Sequence, residues 1–196
     1  MNQKPSRKQQ ILESLASELE RNPGERITTA VLARSVGVSE AALYRHFASK
    51  AKMFEGLIGF AEESVFARIN QILEGEKETR ARCARLLYLL LVFSERNPGI
   101  TRVLLGDALI GETGRLHLRV EQFFARLETQ LRQVLRESRM RDGHVCVDAE
   151  SGAALMLSLI EGRMHQFLRT RFKVSPAAGW EAQWAILERA LFQPAG

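Results

Sequence analysis

Residues 28–52 read TTAVLARSVGVSEAALYRHFASKAK, and their spacing decides the fold class. Thr28 carries a hydroxyl able to accept from an amide one turn on, so it predicts a helix start; Leu32 and Val36 then share an inward face at i, i+4. Gly37 predicts the end of that helix, because glycine takes a left-handed conformation without a Cβ clash and lets the chain turn at once. Ser39 predicts the cap of a second helix, with Glu40 favouring its positive end. Ala33 is small where the two helices would cross, while Val38, Leu43 and Phe47 supply apolar contacts. The pattern is a helix-turn-helix whose second helix reads nucleic acid.

The outward residues of that second helix carry the chemistry. Ala41, Ala42, Tyr44, Arg45 and His46 lie away from the Leu43/Phe47 face. Small side chains at its start allow close approach to the major groove, and Ala41 or Ala42 suits a thymine methyl. Arg45 suits a base edge or a phosphate, and Tyr44 and His46 suit phosphates. Ser49 and Lys50 open a further helix, whose free amides and the Lys50 charge suit one more phosphate. The predicted contacts to double-stranded DNA are Thr28, Thr29, Ser39, Ala41, Ala42, Tyr44, Arg45, His46 and Lys50.

Charge points the same way. Residues 1–54 hold 9 Lys/Arg and 5 Asp/Glu, net +4, so the other 142 hold 28 − 9 = 19 against 23 − 5 = 18, net +1. A basic head suits a polyanion, with Lys4, Arg7 and Lys8 placed to lie along a DNA backbone. A basic membrane-surface helix is disfavoured, because the first helix has no wide apolar face rimmed by lysines. The longest strongly apolar run, 86–93, is far short of a membrane span. Only Cys83 and Cys146 are present, which predicts free thiols in a reducing cytosol.

Along the rest of the chain the periodicity is helical throughout, and the expected fold is all-α with about nine helices. A first helix runs to Glu20 on an Ile11/Leu12/Leu15/Leu19 stripe and stops at Asn22-Pro23-Gly24. One long helix spans Lys50 to about Glu74, ending at Gly75, and another spans about Thr79 to Arg96, nearly apolar all round from Leu86 to Phe93. Asn97-Pro98-Gly99 breaks it. A short helix over 100–109, a bend at Gly111 to Gly114 and a long amphipathic helix to about Arg139 follow; the arginines of that helix read as a solvated face. Arg141-Asp142-Gly143-His144 reads as a turn, Asp148 as the cap of a helix to Phe172, and Trp180 to Phe192 as the last helix, with Trp180 and Trp184 on one face. The two closing helices suit a four-helix dimer interface. The expected division is a DNA-binding domain over 1–52 and a helical dimerisation and partner-binding domain over 53–196.

Enzyme chemistry finds no support. His46, His117, His144 and His165 lack ligand spacing, and His144 with Cys146 is only part of a metal set. Gly106 to Gly111 has the spacing of a phosphate loop, but Glu112 stands where lysine is required. The expectation is a non-enzymatic chain without metal or cofactor.

The run VGVSEAALYRHFASKAKMFEGLI, in particular Leu43 to Phe47 with Ser49-Lys50, resembles the signature of TetR-type regulators, all-helical homodimers with an amino-terminal reading head and a larger dimerisation body. The segments 27–60, Arg68-Ile69-Asn70, Ile72-Leu73, 95–102, 130–137 and Glu161-Gly162 resemble the branch of that family that acts in nucleoid occlusion. That resemblance implies a nucleoid-associated dimer that, on chromosomal DNA, captures the C-terminal tail of the division GTPase FtsZ and antagonises its assembly. It also implies a tail groove involving Phe60, Arg68, Leu89, Arg96 and Asn97, with Val92 where the pattern usually has glycine. Arg68 and Arg96 suit an acidic extended peptide, and Phe60 and Leu89 its apolar side chains. The alternative is a ligand-responsive repressor, disfavoured by a body dense in Leu, Ile and Val with few polar groups to orient a small molecule. A purely architectural DNA-binding protein is a third reading.

Overall fold

The computed structural model describes residues 6–142, 145–146 and 148–193. Among them the α-helices are α1 (Arg7–Arg21), α2 (Thr29–Val36), α3 (Glu40–His46), α4 (Lys50–Gly75), α5 (Thr79–Arg96), α6 (Pro98–Leu104), α7 (Gly114–Asp142), α8 (Ala149–Arg169) and α9 (Trp180–Leu191). The all-α class is as expected. One departure is a two-residue antiparallel ladder, Val145 opposite Gln193 and Cys146 opposite Phe192, too short to show as alternation in sequence.

Several boundaries moved for local reasons. The helix expected over 100–109 ends at Leu104, where Gly106 at φ 78° turns the chain into a single 3-10 turn, Asp107–Leu109. Arg141 and Asp142, expected in a turn, belong to the end of α7; Gly143 and His144 lie outside the described residues, as does Lys4. The expected end of α8 at Phe172 is corrected to Arg169. Arg171 and Phe172 take left-handed φ values of 52° and 64°, and the Phe172 ring turns back to 5.1 Å from that of Phe167, so ring packing holds the chain out of the helix.

The chain divides into two compact units, Met1–Glu62 with Asn97–Val120, and Glu63–Arg96 with Glu121–Gly196. In the first, α1 buries Ile11, Leu15 and Leu19, α2 and α3 bury Leu32, Ala33 and Leu43, and α4 buries Met53, Phe54, Leu57 and Ile58. Each of the buried Ile, Leu, Met and Phe side chains contributes about 1.5–3 kcal/mol on leaving water. Pro98 starts α6, where its missing N–H costs nothing, and Gly99 lets that helix touch α1. A Cβ at Gly99 would lie 2.0 Å from the Ala16 carbonyl oxygen.

Arg102, one turn further along α6, is 1% exposed. Its guanidinium donates to the carbonyls of Leu19 (2.8 Å), Asn22 (2.7 Å) and Glu25 (3.2 Å) and to the Asp107 carboxylate (2.5 Å). Those carbonyls belong to the end of α1 and the turn after it, where helical partners run out. The cation also meets the negative end of the helix dipole. Arg102 thereby locks the chain that enters the helix-turn-helix.

In the second unit Arg82 plays a similar part for α4, donating to the carbonyls of Leu73 (2.5 Å) and Glu76 (2.6 Å). Here α5 buries Leu86, Leu87, Leu90 and Leu91, whereas Tyr88 is exposed and Leu89 partly covered, so the apolar run is not covered all round. Helix α7 packs Phe123, Leu127, Leu131, Val134 and Leu135; α8 packs Met156, Ile160, Met164 and Phe167; Trp180 stacks on Trp184 at 5.9 Å. The α7 arginines are more than a solvated face: Arg126 lies 3.7 Å from the centre of the Phe66 ring, and Arg132 reaches Glu150 at 2.8 Å.

Candidate nucleic-acid interface

The reading surface is built by three side-chain caps and one glycine. Thr28 Oγ1 accepts from the Val31 amide (3.2 Å) and starts α2; Gly37, at φ 74°, ends it. Ser39 Oγ accepts from the Ala42 amide (3.2 Å) and starts α3, and Ser39 lies in an extended conformation that sets α3 off at an angle. Ser49 Oγ accepts from the Lys52 amide (3.2 Å), so that orphan donor of α4 is already satisfied. A link absent from the sequence reading joins the two helices: Thr29 Oγ1 donates to Glu40 Oε2 at 2.6 Å. That bond holds Thr29 at the α2–α3 junction.

Leu43 is fully buried and faces α1 and α2, which turns the opposite side of α3 outward. Ala41, Tyr44 and Arg45 are exposed, Tyr44 by 46%, while Ala42 and His46 are partly covered. Thr28 and Ser39 are exposed at the starts of α2 and α3. Phe47 takes an extended backbone beyond α3, with Lys8 Nζ 6.0 Å from its ring centre. The side chains offered outward are therefore a phenol, a guanidinium, an imidazole and small groups, donors suited to phosphates and base edges.

Lys50 differs from the others. Its ammonium is 2.7 Å from Glu112 Oε1 and sits over the Phe54 ring, 5.5 Å from its centre. Further along α4, Glu55 bonds Lys52 at 2.7 Å, and that bond holds its carboxyl below the usual range. Arg119 donates to Glu62 at 2.6 Å and to the Glu55 carbonyl at 3.0 Å, and the Glu62 bond raises its pKa. The Arg119 contacts fasten the first half of α4 to the start of α7, and the Lys50–Glu112 pair fastens it to the loop before α7.

The residues expected to hold a partner fall in both units. In the first, Phe60 is 48% exposed on α4, and Asn97 caps α6 with its carbonyl accepting from Thr101. Phe60 and Asn97 together border a recess of about 210 Å³ lined also by Leu12, Ala16, Leu57 and Ile100; the contribution of α1 to it was not foreseen. In the second unit Arg68 is exposed and donates to Gln71 at 2.9 Å, Leu89 and Val92 are partly covered, and Arg96 is exposed as the last residue of α5. On α8 and α9, Leu155 and Ile186 are exposed by 50% and 64%, beside Leu159, Leu187 and Ala190. Among the described residues no group of His, Cys, Asp and Glu is placed to hold a metal, and no helix is long and apolar enough to cross a membrane.

Residues 11–57 match the model for bacterial regulatory proteins of the tetR family, and residues 77–192 match that for a tetracycline-repressor-like C-terminal domain of the SlmA-like kind. The chain belongs to the TetR family. As a TetR-family regulator it is a DNA-binding protein and not an enzyme. The nucleoid occlusion factor SlmA of Shewanella halifaxensis is 55% identical over 191 residues, 97% of each chain, and that of Shewanella woodyi 54% over the same span. Among solved structures, the TetR-family regulator PfmR of Thermus thermophilus superposes with a TM-score of 0.75 at 22% identity, covering 93% of this chain and 99% of that one. The fatty acid degradation regulator FadR of Bacillus halodurans superposes at 0.80 and 12% identity, covering 95% and 96%. Similarities at such identities concern the fold alone.

Proposed function

We propose that this TetR-family chain is a nucleoid occlusion factor: a cytoplasmic, nucleoid-associated homodimer that reads specific double-stranded DNA. Once bound there, it captures the C-terminal tail of FtsZ and antagonises FtsZ assembly, so that no septum forms over the chromosome. Residues 1–52 are the DNA-reading part, through Thr28, Thr29, Ser39, Ala41, Ala42, Tyr44, Arg45, His46 and Lys50; residues 53–196 pair the subunits and hold the partner. The observation that carries the DNA half is the capped α3, whose Tyr44 and Arg45 stand free of the fold. For the partner half, the support is the 55% identity to a named nucleoid occlusion factor, together with exposed Phe60, Arg68 and Arg96. The exposed apolar Leu155 and Ile186 support dimerisation through α8 and α9.

The ligand-responsive repressor remains the second reading, since the FadR of Bacillus subtilis, solved with stearoyl-CoA, has the same fold. The gap bounded by Ile69, Leu86, Leu90, Leu127 and Leu131 is about 10 Å³, however. Small-molecule sites run to roughly 300–1,000 Å³, so that gap is too small to hold an acyl ligand.

Pull-down on immobilised FtsZ tail peptide tests the proposal: capture rises when cognate DNA is added, and Phe60→Ala or Arg96→Ala abolishes it while leaving DNA binding intact. Tyr44→Ala weakens DNA binding with an unchanged melting temperature. No tail capture, with tight binding of an acyl ligand, hands the chain to the repressor reading.

A further inference from the structure

The Lys50–Glu112 pair joins residues 62 positions apart, so it is a tertiary contact and not a by-product of helical spacing. Lys50 opens α4, and Glu112 lies in the loop between the 3-10 turn and α7. That loop is firmly placed. The Glu112 amide donates to the Leu109 carbonyl at 2.9 Å, and Gly111 takes a left-handed φ of 81°. The Arg26 guanidinium packs so closely against Gly111 that a Cβ there would lie 2.9 Å from it. The paired side chains are only 27% and 17% exposed, so solvent screens the contact less than a fully exposed one.

We infer that Glu112 is a built-in substitute for a DNA phosphate: it occupies, in the free protein, the Lys50 ammonium that a phosphate would take in the complex, and so holds DNA affinity down. The inference rests on the reading that Lys50 touches DNA. An ammonium engaged at 2.7 Å must release its carboxylate before it can engage a phosphate. The freed carboxylate then faces the DNA as a like charge. Both effects oppose binding, and since phosphates carry no sequence information they act on any duplex alike. Glu112 thereby lowers residence on arbitrary DNA, leaving discrimination to the groove-facing side chains of α3.

The test compares the parent with Glu112→Gln, Lys50→Gln and the double variant, by fluorescence anisotropy on a short mixed-sequence duplex over a salt series. Melting curves are recorded for each, and Glu112→Ala is run in parallel in case the glutamine variant misfolds. Glu112→Gln tightens binding by about three- to fivefold, the size of an ion pair of moderate exposure. Lys50→Gln weakens binding and flattens the log–log salt slope by about 0.9. In the Lys50→Gln background, Glu112→Gln loses most of its effect. If Glu112→Gln leaves affinity unchanged or weakens it while Lys50→Gln still weakens it, the inference fails and the DNA reading of Lys50 stands. An equal gain in both backgrounds makes Glu112 a distant charge and overturns the pairing. If Lys50→Gln alters neither affinity nor slope, Lys50 does not meet DNA and both statements fall.

Discussion

Replacing Arg102 by methionine keeps much of its apolar volume in α6 and removes the guanidinium. Three carbonyls at the end of α1 and in its following turn then lose a donor, and Asp107 loses its counter-charge. Leaving a buried acceptor unmatched costs about 1–3 kcal/mol, and breaking a buried charge pair from one side costs about 3–5 kcal/mol. Because water can reach Asp107 and the turn once the side chain is gone, the separate costs do not add, and the middle of the charge-pair range applies, about 4 kcal/mol. In a chain of this length about 2–4 °C is lost per kcal/mol, so the melting temperature falls by about 8–16 °C. The assay is a circular-dichroism melt at fixed protein concentration, since pairing of subunits would make the midpoint concentration-dependent. Arg102→Lys retains the charge but not the fork that meets several carbonyls together, and falls between parent and methionine variant. A drop of less than about 3 °C for Arg102→Met would refute the claim that this cation holds the entrance to the helix-turn-helix.

Three further outcomes are expected. Gly99→Ala sets a methyl against the Ala16 carbonyl and costs at least about 1–3 kcal/mol in a thermal melt, since backbone and not a movable side chain is in the way; an unchanged midpoint would deny the α1–α6 contact. The Asp148 carboxyl is held below its ordinary range by hydrogen bonds from the Ser151 side chain and from the Ser151 and Glu150 amides, so its capping contribution is present above about pH 4 and fades as the pH falls through the lowered value. Asp148→Ala is accordingly less stable than the parent at neutral pH, and acid titration narrows the difference; a gap that widens in acid would reverse the assignment. Ile186→Asp combined with Leu155→Asp places charges on the open α8–α9 face, and sedimentation velocity then shows a monomer where the parent sediments as a dimer.

Local signals carried a large part of this protein. The caps at Thr28, Ser39 and Asp148, the left-handed turn at Gly37, the stop at Gly75 and the inward Leu32 and Leu43 all act between residues a few positions apart. The order of chain neighbours therefore suffices to state them. The outward face of α3 follows from the same periodicity, because burying Leu43 leaves Tyr44 and Arg45 outside. What tertiary structure alone decided is which distant groups meet. Arg102 stands in the apolar run PGITRVLL, where a lone cation is a hint of a buried role, yet nothing local tells that its carbonyl partners are 77–83 residues away. The same holds for Glu112 beside Lys50, for α1 lining the recess under Phe60, and for the Phe172 ring that ends α8 early. Helical periodicity names the face a residue takes, whereas the identity of what covers that face depends on how the helices cross, and crossing is settled by packing along the whole chain.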